Sequence, residues 1–157
     1  MNLKVVYNQD FQQWIEHHIS LLKEGRFNEI DAEHLIEELE DMGKSNLREL
    51  ESRFVVLIAH LLKWEYQFKI LQNRWDSYTG NSWKGTIIVQ RNEILKLLKH
   101  NPSLKRFLPE TIVKAYPDAL ESAVEETGLP ESAFPTECPY TIEQLLDKKF
   151  YPEPQAL

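Results

Sequence analysis

Residues 47–71, LRELESRFVVLIAHLLKWEYQFKIL, decide the fold. Their apolar side chains fall at Leu47, Leu50, Phe54, Leu57, Leu61, Trp64, Phe68 and Leu71, alternately three and four apart, which is one continuous face of an α-helix. Val55, Ile58 and Leu62 add a second stripe, so the middle of this helix is expected to be wrapped on nearly all sides. Only His60 interrupts the apolar run there. A central helix of this kind predicts an all-α, single-domain bundle of about six helices, with the other helices packed around it.

On its N-terminal side, Ser45 offers a cap for the central helix, and Gly43 a stop for a shorter helix before it. That shorter helix is expected to begin at Asp31 and to turn Leu35, Ile36, Leu39 and Met42 inward, with Glu33, Glu37, Glu38, Glu40 and Asp41 on its other faces. Before it, Asp10 caps a helix that carries Phe11, Trp14, Ile15, His18 and Leu22 and stops at Gly25. Residues 4–7 are the one place where strand period is visible.

On the C-terminal side, Asp76, Ser77, Thr79, Gly80 and Asn81 mark a loop, after which Ser82 is expected to cap a helix with Trp83, Ile87, Gln90, Ile94 and Leu97 on one line. Gln90 needs a hydrogen-bond partner if it is buried. Asn101 and Pro102 stop that helix and start the next segment. Pro109 predicts a break and Pro117 a break or kink, since each lacks a donor and clashes with the preceding turn. Gly128 ends the segment. A proline-rich wrap follows, then a capping box at Thr141 and Gln144, with Phe150 and Tyr151 pinning the tail.

The chain has 157 residues, enough to bury about 68 to 70% of its unfolded surface in one core. Composition is that of an ordinary globular protein, 42% hydrophobic and 27% charged. No basic, apolar leader opens the sequence, and no apolar run approaches the roughly 20 residues of a membrane span, so the expectation is a cytoplasmic protein with no membrane contact. A single cysteine, Cys138, excludes an internal disulfide and is expected to pack in its loop.

Net charge is −7, unevenly distributed: residues 1–62 carry 6 basic and 12 acidic side chains, residues 63–106 carry 9 and 3, and residues 107–157 carry 3 and 10. The plain reading is internal pairing of a basic middle with acidic flanks; the sharper one is an anion-binding face.

No phosphate loop, G-x-S-x-G elbow or H-E-x-x-H motif is present. Two constellations remain. His34, Glu37, Glu38 and Asp41 stand three and four apart on adjoining parts of one helical face, and with His60 from the central helix they offer the mixed nitrogen and oxygen ligands of a divalent metal. Solvated acids near the start of a helix, and a core histidine bonded to a carbonyl or carboxylate, are the plainer accounts of the same residues. His17 and His18 point about 100° apart and look incidental. The second constellation interleaves cations and rings from Lys63 to Arg91. Within it Arg74, Trp75, Tyr78, Lys84 and Arg91 are the set suited to phosphate or single-stranded nucleic acid.

FNEIDAEHLIEELEDMGKS, LESRF with HLLKWEYQ, SWKGTIIVQR, and ETGLPESAFPTECPYTIEQLL, taken in this order and spacing, resemble a bacterial, mainly cyanobacterial family catalogued as domain of unknown function twenty-nine. The resemblance covers about residues 7–153. It implies an all-helical domain and carries no activity with it. The expectation for function is therefore a non-enzymatic interaction domain that self-associates or binds a protein partner and needs no cofactor. Phosphate or nucleic-acid binding through the basic aromatic segment, and divalent-metal-dependent hydrolysis, are the alternatives.

Overall fold

The computed structural model describes residues 1–74 and 79–155. Six α-helices run in order: α1 (Leu3–Gln9), α2 (Phe11–Lys23), α3 (Ala32–Arg74), α4 (Asn81–His100), α5 (Leu108–Thr127) and α6 (Ile142–Leu146). Among the described residues there is no strand. The protein is all-α, with a long central helix, as its apolar spacing predicts. Contacts group the chain into two compact units, Met1–Ser45 and Asn46–Leu157.

Within the first unit, Asn2 caps α1 through the N–H of Lys4, so residues 4–7 are helical and the strand period there is a coincidence of a short segment. Asp10 accepts from Gln13 N–H at 3.0 Å and caps α2. Gly25, at φ +71°, turns the chain out of that helix, while Arg26 N–H bonds back to the Leu21 carbonyl at 2.9 Å. This is the expected glycine stop.

The expected stop at Gly43 and restart at Ser45 do not occur; α3 runs from Ala32 to Arg74 without interruption. A C′ glycine ends a helix by taking positive φ, and Gly43 is not among the glycines that do so. Helical glycine costs only about 1 kcal/mol relative to alanine, and Glu40, Met42, Lys44 and Leu47 around it are good helix formers.

The core of the second unit is aliphatic and aromatic. Leu50, Phe54, Leu57, Ile58, Leu61 and Leu62 of α3 are fully buried with Ile87 and Ile94 of α4, Ala115 and Ala119 of α5, and Leu145 of α6. The N-cap of α4 lies two residues before the one expected at Ser82. Gly80 takes the N-cap position at φ +69°, and a Cβ there would lie 2.7 Å from the Phe68 ring and 2.9 Å from Trp64. Only glycine fits both the backbone and the space. Gln90 is half-buried and accepts from Arg53 at 3.4 Å, the partner it was expected to need.

The chain breaks before Pro109, which lies in the first turn of α5, whereas Pro117 sits inside that helix without ending it, on its exposed face. Gly128, at φ +71°, ends α5 as expected. The following wrap is tied down by Tyr140, whose hydroxyl donates to Glu65 at 2.7 Å, and by the Thr141–Gln144 capping box. Cys138 is half-buried, with its thiol toward the Tyr140 carbonyl.

Candidate interaction surface

Inside the first unit the N-cap of α3, Asp31, is buried and acts as a hub. Its carboxylate accepts from the Trp14 indole at 3.2 Å, from His34 Nδ1 at 2.6 Å and from the His34 backbone at 3.4 Å. Burial alone would raise its pKa, but the bonds from His34 and Trp14 outweigh it and hold the carboxyl below its ordinary value.

His18 bridges the same two helices. Asp31 N–H donates to its Nε2 at 2.8 Å, so the proton must sit on Nδ1, which donates to the Trp14 carbonyl at 2.8 Å. A second proton on the ring would set N–H against N–H. His18 is thus not incidental but the buried link between α2 and α3.

Aromatic rings close the hub. Tyr7 stacks on His34 at 3.9 Å and meets Trp14 edge-on at 5.2 Å. Its hydroxyl donates to Glu38 at 2.5 Å. That bond to a carboxylate pushes the phenol up to about 12.

These bonds determine what the first constellation can do. His34 is engaged with Asp31 and Glu38 with Tyr7, while Glu37 and Asp41 are exposed and make no ion pair among the described residues. His60 Nδ1 donates to the Val56 carbonyl, 2.9 Å away, and burial together with nearby Lys63 pushes its imidazole down. It lies in the second unit, 26 residues after His34 on the same uninterrupted helix. Among the described residues no group of three or more His, Cys, Asp or Glu is placed to hold a metal ion.

The second constellation is likewise drawn inward. Arg91 is 1% exposed. It donates to the Leu145 and Gln144 carbonyls at 2.9 and 3.1 Å, under the rings of Phe150 and Tyr151. Burial pushes its guanidinium pKa down. The arginine expected to meet a phosphate instead ties α4 to the end of α6. Its position was legible: Ile87, Arg91, Ile94 and Leu98 are four, three and four apart, and all four are buried.

Lys63 is buried, paired with Glu126 and over the Trp83 ring. Lys84 keeps an exposed position with its ammonium 5.5 Å from Trp64 and 5.8 Å from Tyr151. Arg74 is exposed at the end of α3. Trp75 and Tyr78 lie outside the described residues.

What the structure displays is apolar. Phe11, Ile19 and Leu22 of α2 are exposed, as are Val5 and Phe27. On α3, Ile36, Leu39 and Met42 are 55, 58 and 64% exposed. At 100° per residue they span about 120° of that helix. Glu40, Glu33, Glu37 and Asp41 fill the next sector round. The sequence turned Leu35, Ile36, Leu39 and Met42 inward; of these only Leu35 is partly buried, together with His34 and Glu38, while the other three are exposed.

Fold and surface together define an all-helical protein with an uncovered, acid-flanked apolar face on the first residues of α3. The chain belongs to the family described as Domain of unknown function DUF29, which matches it over residues 6–151. No curated protein matches it, and no solved structure does. No helix among the described residues is long and apolar enough to cross a membrane.

Proposed function

We propose that this protein is a non-enzymatic interaction domain whose first unit docks a protein partner through the apolar sector of α3. One observation carries the reading: of the twelve large apolar side chains that are exposed among the described residues, nine lie in the first 45. Scattered exposed apolar residues are normal, whereas their concentration on one small unit marks a surface kept for a partner. Fully burying one such side chain is worth about 1.5 to 3 kcal/mol, so three neighbouring positions suffice to anchor an interface. On this reading, and on the resemblance, its setting is the cytoplasm of a bacterium, chiefly a cyanobacterium.

Of the cations between Lys63 and Arg91 the phosphate-binding alternative retains Lys69, Arg74 and Lys84, because Lys63 is paired with Glu126 and Arg91 is committed to carbonyls. That is too little positive charge to argue from.

A photo-crosslinking residue at position 39 tests the proposal in the host cell. One discrete protein adduct, lost when Met42→Glu is added and absent with the probe at exposed Lys114, supports it; a second copy of the chain counts as such an adduct. No adduct at position 39, together with a monomer at every concentration in sedimentation, overturns it.

A further inference from the structure

Charge indicates what kind of partner this face accepts. Residues 1–45 hold ten acidic and four basic side chains. Two of those cations are already committed within the unit, Lys4 to Glu33 and Arg26 to Glu24 and Glu29. Asp31 and Glu38 are taken up in the hub. Glu37, Glu40 and Asp41 remain exposed beside Ile36, Leu39 and Met42, with no ion pair among the described residues.

Lys44, exposed four residues after Glu40, offsets one of these charges, and a second copy docked on this sector would still bring two net-negative faces together, a repulsion that specific interfaces avoid. An anionic membrane or nucleic acid is disfavoured for the same reason. A helix with apolar side chains three and four apart, flanked by Lys or Arg, satisfies both parts of the surface at once. The face is also preformed, since the Tyr7, His34 and Asp31 contacts hold the opposite side of the same turns.

We infer that the sector of α3 from Glu33 to Lys44 is a docking site for a basic amphipathic helix of another protein, an inference that rests on the interaction reading above and adds the chemistry of the partner.

The probe is a synthetic helical peptide with leucines on one face and lysine flanks, compared with the same peptide carrying glutamate flanks. Both are titrated onto the full chain by fluorescence anisotropy. The lysine peptide is expected to bind, and to weaken as salt rises from about 50 to about 300 mM. Leu39→Ser with Met42→Ser should lower its affinity by about tenfold or more. Glu37→Lys with Glu40→Lys and Asp41→Lys should invert the preference between the peptides, while Glu121→Lys with Glu125→Lys on α5 should leave it unchanged. Circular dichroism checks that each variant stays folded.

If both peptides bind alike, or the α5 variant weakens binding as much as the α3 variant, the inference fails while the crosslinking result stands. If neither peptide binds the native chain, the inference also fails, and the crosslink alone then decides whether the interaction reading survives.

Discussion

In the second unit the innermost side chains are mainly Leu50, Phe54, Leu57, Ile58, Leu61, Leu62, Ile87 and Ile94. In the first they are Val6, Trp14, His18 and Asp31. A unit of about 45 residues has too much surface for its volume to close a wholly aliphatic core. Here hydrogen bonds through one buried carboxylate hold the helices, and only Val6 of the aliphatic side chains is buried. The larger unit does the reverse, and its few buried cations, Lys63 and Arg91, are each tied to specific oxygens. The contrast teaches that apolar residues at helical spacing mark a helix wherever they fall, but mark a core only where enough chain is present to enclose them.

The largest effect should come from breaking the dry core. Phe54→Ala leaves a cavity in a fully buried site and is expected to cost about 3 to 5 kcal/mol in chemical denaturation. Asp31→Ala should come next. It removes a helix cap and the acceptor for Trp14 and His34, for about 2 to 4 kcal/mol, with amide exchange speeding up in residues 3–45 rather than in the second unit. Equal losses of protection in both units would erase the distinction drawn between them.

A smaller, pH-dependent effect separates the two units further. The His60 imidazole has its pKa depressed in the folded state, mainly by burial, so the unfolded chain binds more protons near its ordinary value. Stability from this group is therefore fully present above about pH 6.5 and is lost as pH falls through the lower folded value. Thermal melts of His60→Gln should show a shallower decline below pH 6.5 than the native chain. The Asp31 carboxylate, also depressed, contributes in a different window: its stability is present above about pH 4 and lost as pH falls below that. Asp31→Asn should remove this second, more acidic decline and leave the one near pH 6.5.

Much of the fold was legible because it is written in local chemistry. Asp10, Gly25, Gly128 and the Thr141–Gln144 box act within one turn of where they sit, and each does what its residue type predicts. The 47–71 spine was legible through its period. What was not legible depended on choices between equal local signals. Gly43 and Ser45 have the chemistry of a stop and a start, yet the surrounding helix formers carry α3 through them. Gly80 and Ser82 both suit an N-cap, and the Phe68 and Trp64 rings decide for glycine.

The exposed face of α3 was misread for one reason. Ile36, Leu39 and Met42 have core spacing, and nothing in their neighbourhood announces that Tyr7 packs against His34 and Glu38 on the other side of the helix. Arg91 was misread in the opposite direction, as a surface cation, although its place on the Ile87, Ile94 and Leu98 line marked it as internal.

The apolar sector of α3, being exposed, is not needed to hold the first unit together. Hydrogen–deuterium exchange of a triple variant, Ile36→Ser with Leu39→Ser and Met42→Ser, tests this most directly. Exposed positions of this kind change stability by no more than about 0.5 kcal/mol each. Protection of residues 3–45 is expected to stay close to native, leaving the face spare for a partner. Loss of that protection, comparable to the loss in Asp31→Ala, would show instead that the face is part of the core.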